Sequence, residues 1–246
     1  MKDYSNYIFK KTEWFLGAIK SLVLGITASW LIYKSFFGML LIPIIFPIVM
    51  KRQKQIQCEK QKTKLLREFK DGMQSVVVAL QAGYSMENAW KESEKEITEL
   101  YGEEALFVVE LRRINAAVDM NQPIEKLLYE FAERSHCEDI RDFAEVFLFA
   151  KRSGGDFCKI MQTTIRHIGE KMEVESEIQT IISAKRMEQK IMNIMPVMLL
   201  GYLNLTASDF LQPLYGNAVG TMIMTGAFLL YITAVFISEK IMRIKV

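Results

Sequence analysis

The chain has 246 residues, of which 50% are hydrophobic and 24% charged, with a net charge of +2. That length allows one large domain or two small ones, and the near-neutral balance offers no clustered basic face of the kind nucleic acid requires. The charges are nonetheless segregated: residues 51–190 hold 23 Lys/Arg and 25 Asp/Glu, whereas 191–238 hold a single charged residue, Asp209. Such a chain is built to face two solvents.

From the N-terminus, Trp14 to Tyr33 is apolar except for Lys20, which sits near one end and can snorkel to an interface. Lys34 follows, and then Ser35 to Met50, a 16-residue stretch with Pro43 and Pro47. A single kinked crossing of a bilayer would separate Lys2, Lys10 and Lys11 from Lys51, Arg52 and Lys54. Two crossings with a tight turn near Lys34 keep every lysine-rich end on the cytoplasmic side, as the positive-inside rule prefers. Residues 1–50 are therefore expected to hold two transmembrane helices. A cleaved signal peptide fits less well, because the apolar run is long and no small-x-small cleavage site follows it.

Residues 51–190 read as helix throughout. Leu65, Leu66, Phe69, Met73, Val76, Val77 and Leu80 recur at three- and four-residue steps, the apolar face of a helix, which should stop at Ala82-Gly83. Ser85 caps a second helix, Met86 to about Tyr101, and Gly102 breaks it. A third helix is expected from Glu103 to about Met120. Asn121-Gln122-Pro123 ends that one and starts the fourth, with Pro123 at the first helical position. Helix five, Glu138 to Arg152, is the most apolar and should be central. Ser153-Gly154-Gly155-Asp156 forms the next turn, with Asp156 as N-cap of a sixth helix from Phe157 to Pro196 that feeds the following apolar segment directly. No alternating strand pattern occurs, so a bundle of about six helices is expected.

Two apolar segments close the chain, Ile191 to Ala207 and Ala218 to Ser238. The second has the roughly 20 residues that a crossing takes, and the first can borrow length from the preceding helix. The loop SDFLQPLYGN between them carries Asp209, which belongs outside the bilayer because an acid at its centre costs about 3 kcal/mol. Lys240, Arg243 and Lys245 place the C-terminus with the other basic ends. The fold expected is an all-α membrane protein: a cytoplasmic antiparallel bundle of about six helices, residues 51–190, flanked by two N-terminal and two C-terminal transmembrane helices. Residues 191–246 form the C-terminal hairpin and a short tail, and both termini and the central domain lie in the cytoplasm.

Candidate chemistry is sparse. Cys58, Cys137 and Cys158 match no CxxC or zinc spacing, and an odd count gives no disulfide framework. His136 and Cys137 adjoin, but no second pair completes a tetrahedral metal site. His136 and His167 have no nucleophile motif beside them. Gly154-Gly155 lacks the Lys-Ser/Thr that would hold phosphate and magnesium, and no HExxH or GxSxG is present. Carboxylates such as Glu92, Glu94 and Glu96 lie among lysines on solvated helix faces. Apart from Lys20, no ionisable residue sits within an apolar segment, which weighs against a transporter. Neither an enzyme nor a cofactor or metal protein is expected. A membrane scaffold or an anchored adaptor remains.

Five stretches, in order, carry a family resemblance: LQAGYSMENAW at 80–90, INAAVDMNQPIEKLLYEFAER at 114–134, FAKRSGGDFCKIM at 149–161, AKRMEQKIMNIMP at 184–196, and the closing EKIMRIKV. The chain resembles the type II secretion system F family, the inner-membrane platform proteins of type II secretion and type IV pili, and most of all the short Tad-pilus (TadB/TadC) branch. The resemblance runs from about Leu65 to the C-terminus. It implies a scaffold that hydrolyses nothing itself and oligomerises. Its implied partners are membrane lipid, a cytoplasmic hexameric secretion ATPase, a paralogous platform subunit and pilin-like subunits. Unlike the long branch of that family, this chain has one cytoplasmic bundle. Gly83, Tyr84 and Ser85 match the family's first turn, and Gly154, Gly155 and Asp156 its second. Pro123 matches a helix start whose usual preceding glycine is here Asn121, and Pro196 matches the helix break at the membrane entrance. Turn and cap geometry or direct partner contact would each explain these residues. Arg112, Arg113, Lys151 and Arg152 either face the ATPase or lie on solvated helix faces. The alternative reading is a membrane-anchored helical adaptor or signalling protein that moves no filament subunits.

Overall fold

The computed structural model describes residues 19, 42–153, 156–207, 211–212, 215 and 217–241. Among these there are seven helices and no strand: α1 (Ile42–Gln81), α2 (Met86–Tyr101), α3 (Leu106–Asp119), α4 (Ile124–Ser135), α5 (Glu138–Ser153), α6 (Phe157–Thr206) and α7 (Ala218–Ile241). The described residues are all-helical apart from their turns, as the periodicity predicts. It divides into two compact units, one holding Lys54–Glu173 and the other Val174–Val246 with the part of α1 up to Gln53.

The first unit is a bundle around the stripe of α1 that the spacing singled out. Leu65, Phe69, Met73, Val76 and Val77 are buried, and Phe69 is the hub. Its ring meets Phe107 edge-on at 5.3 Å, Phe143 edge-on at 5.1 Å and Phe131 at 6.0 Å. Trp90 packs edge-on against Phe147, which packs against Phe157 of α6 at 5.2 Å. Each such ring contributes about 2–3 kcal/mol on burial, and edge-on geometry adds about 1 kcal/mol per pair. α5 supplies Ile140, Phe143, Ala144, Phe147 and Ala150 to this core.

Side-chain bonds between neighbouring helices fix the antiparallel order. Ser93 donates to the Gly72 carbonyl at 2.8 Å, joining α2 to α1, and Asn115 donates to Glu94 at 2.7 Å, joining α3 to α2. Arg134 donates to Glu110 at 2.7 Å between α4 and α3. Lys151 pairs with Glu125 at 2.7 Å, and Lys171 with Asp139 at 2.7 Å, tying α5 to α4 and α6 to α5. Gly72 of α1 leaves room for the α3 ring of Phe107: a Cβ there would lie 2.4 Å from its Cε1.

Three boundaries differ from expectation. The third helix starts at Leu106, not Glu103, because Gly102 at φ +85 turns the chain and Ala105 then holds the extended N-cap conformation. Pro123 is itself the N-cap of α4, at φ −68 and ψ 130, so the first helical residue is Ile124. α1 begins at Ile42 and continues through Pro47 without a break where the apolar stretch gives way to charge. The expected crossings at Trp14–Tyr33 and Ser35–Met50 otherwise lie outside the described residues.

α6 is the longest helix, at 50 residues, and only Met161, Ile165 and Ile168 of it are buried. The bundle releases it after Met172, which is half-buried against the core. Composition changes later, after Lys190, so the charged stretch 174–190 belongs by packing to the second unit. Pro196 lies inside α6 and does not break it, contrary to the expected helix break there.

In the second unit the end of α6 runs antiparallel to α7. Gln189 donates to the Ser238 hydroxyl at 2.7 Å, the Tyr231 hydroxyl donates to the Asn193 carbonyl at 2.6 Å, and Asn204 donates to the Tyr215 hydroxyl at 3.0 Å. Arg52 of α1 donates to both carboxylate oxygens of Glu239 at 2.7 Å. Among the described residues one helix, Val219–Ile241, is long and apolar enough to cross a membrane, and only 11% of its apolar window is buried.

Candidate functional site

Alternating helix direction brings three connections to one end of the bundle: α1–α2, α3–α4 and α5–α6. α1 enters and α6 leaves at the opposite end. Of the turn residues singled out in the sequence, Gly83, Tyr84, Ser85, Pro123 and Asp156 lie at these connections.

Gly83 ends α1 at φ +91, a left-handed value that costs an L side chain about 1–2 kcal/mol. Its N–H donates to the Leu80 carbonyl at 3.0 Å, and the Tyr84 N–H donates to the Ala79 carbonyl at 3.1 Å. This is the paired-bond cap that satisfies the last carbonyls of a helix. Ser85 then accepts from the Asn88 N–H at 3.4 Å to cap α2. Asn121, which stands where a glycine was expected, also has a positive φ of 61. Asparagine is among the few residues that adopt this conformation readily. Asp156 accepts from the Lys159 N–H at 3.1 Å and so caps α6. Gly154 and Gly155 lie outside the described residues. Pro196 is in the second unit and is not brought together with the others.

Cap geometry thus accounts for Gly83, Ser85 and Asp156, and Pro123 presets the extended backbone that precedes α4. Tyr84 is different. Its backbone completes the cap, but its side chain is 49% exposed. At the same end of the bundle Met120 is 76% and Phe149 70% exposed, with Lys151 and Arg152 beside Phe149 in sequence. The chemistry available there is contact, through apolar tips and cations.

Sequence reasoning missed the buried polar residues on α1. Glu68, Gly72 and Ser75 recur at i, i+4 and i+7 along one edge of the apolar stripe. Glu68 is fully buried, and its carboxylate accepts from the Phe107 N–H at 2.8 Å. It therefore caps the N-terminus of α3, which Ala105 leaves without a side-chain cap. Ser75 bonds to Glu96, and the Tyr101 hydroxyl donates to Asp71. Burial, with the bond to Asp71, pushes the Tyr101 phenol up to about 12. Burial likewise raises the Cys137 thiol to about 11, which removes it from nucleophilic chemistry near neutrality.

Among the described residues no three His, Cys, Asp or Glu side chains gather in a way that could hold a metal ion. No family model, no curated protein and no solved structure matches the chain.

Proposed function

We propose that this chain is an inner-membrane platform protein of a type IV (Tad-like) pilus or type II secretion assembly machine, working as a non-enzymatic scaffold. The observation that carries the reading is the order of elements. A compact helical bundle is followed by one uninterrupted helix, α6, that ends in an apolar antiparallel pair with α7. The sequence motifs at 80–90, 114–134 and 149–161 fall on the bundle's turns and the helices that adjoin them.

In this reading the apolar regions cross the membrane several times, and the bundle stands in the cytoplasm. A hexameric ATPase docks on the bundle, and pilin-like subunits meet the membrane helices beside a paralogous platform subunit. α1 and α6 each pass from one unit into the other without an intervening loop. That continuity suits a part that passes on displacement, because a helix carries axial load where a flexible loop would absorb it. The end of the bundle bearing Tyr84, Met120 and Phe149 is the surface offered to the ATPase.

Affinity purification of the tagged full chain from its own cells tests this. The expected outcome is co-purification of a P-loop ATPase, weakened by Tyr84→Ala with Phe149→Ala. The genes beside it should encode that ATPase and a small pilin-like protein. Recovery of soluble partners without ATPase or pilin would favour the adaptor reading instead.

A further inference from the structure

α1 and α6 lie side by side in the bundle: a Cβ on Gly169 of α6 would stand 3.7 Å from Cδ of Lys70 of α1. The two helices run antiparallel, so three residues back from Lys70 and four on from Gly169 lead the same way. Arg67 and Glu173 are therefore level with each other to within about one turn. Each belongs to a ridge of its own sign. On α1, Lys60, Lys64 and Arg67 recur at i, i+4 and i+7, and 3.6 residues per turn keeps them within about 60° of one another. On α6, Glu170, Glu173 and Glu177 recur at i, i+3 and i+7 with the same spread. All six are exposed, while Phe69 and Ile168 on the opposite sides of the two helices are buried. Lys64 lies 3.7 Å from Glu68, and Glu170 pairs with Arg166. Lys60, Arg67, Glu173 and Glu177 make no ion pair among the described residues. Exposed aliphatics continue both ridges: Ile56 at 43%, one turn before Lys60, and Val174 at 51% and Ile181 at 71%, one turn to either side of Glu177.

A basic ridge beside an acidic ridge at the same level is self-complementary. A twofold axis parallel to the two helices lays the α1 ridge of one copy on the α6 ridge of the other, and makes every contact twice. We propose that this double ridge is the contact surface between two copies of the chain, joined through α1 of each and α6 of its partner. The inference rests on the membrane part of the reading above, because a bilayer holds both copies upright and so makes that axis available. One exposed charge pair strengthens association by at most about fivefold. The ridges act as a network, with the aliphatics excluding water beside them, and registers that set like charges together are penalised.

The test is co-expression of two differently tagged copies of the full chain, with pull-down from mild detergent. One wild-type copy should retain the other, and less so at high salt, which screens exposed charges. Lys60→Glu with Arg67→Glu should lower that recovery by about tenfold or more, and so should Glu173→Lys with Glu177→Lys. Co-expressing the first variant with the second should restore pairing, since each ridge again meets its opposite; a fold merely damaged by the changes would not recover in this way. Cross-linking gives a second reading without charge reversal. With Cys58, Cys137 and Cys158 replaced by Ser, a copy carrying Arg67→Cys should oxidise to one carrying Glu173→Cys, and neither should oxidise to its own kind. Wild-type copies that do not associate, pairing indifferent to the reversals, variants that fail to re-pair, or like-with-like cross-links would each overturn the proposal. Alkaline carbonate extraction separates the two readings. A chain released from membranes refutes the membrane reading, whereas one retained as single copies refutes only the double ridge.

Discussion

Glu68 shows how one residue ties three layers of the account together. It sits on α1, is removed from water, and spends one carboxylate oxygen on the first turn of α3. The positive end of the helix dipole and an otherwise orphaned N–H both favour an anion there. Glu68→Ala leaves the Phe107 amide buried without a partner, which costs about 1–3 kcal/mol. Denaturant unfolding of the full chain in detergent should show that loss, together with faster hydrogen exchange at Phe107. Gly72→Ala acts through the same contact by overpacking: its Cβ would strike the Phe107 ring, at a cost of about 1–3 kcal/mol. Tyr101 gives a pH signature. Its folded value lies near 12 against an ordinary 10. Its contribution is therefore complete below pH 10, where both states hold the proton, and is lost as pH rises toward 12. A phenolate absorbance titration should lose a late-titrating tyrosine in Tyr101→Phe. The edge Glu68-Gly72-Ser75 was not picked out in the sequence, because periodicity tells which side of a helix is apolar and not which helix will meet its margin.

At the scale of elements, the caps were the most legible part of the chain. Gly83, Ser85 and Asp156 do in the structure what their residue types imply, since each solves a local backbone problem that needs no distant partner. The failures have the opposite cause. Glu103 and Glu104 look like good first-turn residues, yet α3 starts after them, beyond the turn that Gly102 makes, and its cap comes from Glu68, 39 residues away. Pro196 looks like a breaker but sits within α6. A proline removes one N–H, here the one that would bond the Met192 carbonyl, and crowds the preceding turn; the Tyr231 hydroxyl bonds the next carbonyl, that of Asn193, at 2.6 Å. Two substitutions separate these situations. Gly83→Ala meets no atom within 4 Å of its new Cβ, so its cost of about 1–2 kcal/mol is purely conformational. Under the proposed membrane reading, Tyr231→Phe should cost only about 0.6 kcal/mol, the average for a hydrogen bond between membrane helices. Thermal unfolding in detergent distinguishes the two.

For the whole molecule, segregation of charge pointed to two environments, and the packing boundary falls at a different place. The bundle lets go of α6 near Met172, while the charges persist to Lys190. Composition tracks the solvent around a helix, whereas a packing boundary depends on which apolar side chains find partners, so the two need not coincide. The proposed topology makes a direct prediction: alkaline phosphatase fused after Gly216 should be active, and after Gly102 inactive. The candidate contact surface was legible only in part. Turn residues drew attention to one end of the bundle, but Met120 and Phe149 stand out only once their neighbours are known to leave them exposed. The platform proposal itself is tested most directly by deleting the gene and counting surface filaments or secreted pseudopilin by electron microscopy and immunoblot. A platform role entails loss of filaments with pilin retained in the membrane, restored by the full chain. Filaments and secretion at wild-type levels in the deletion strain would refute that role.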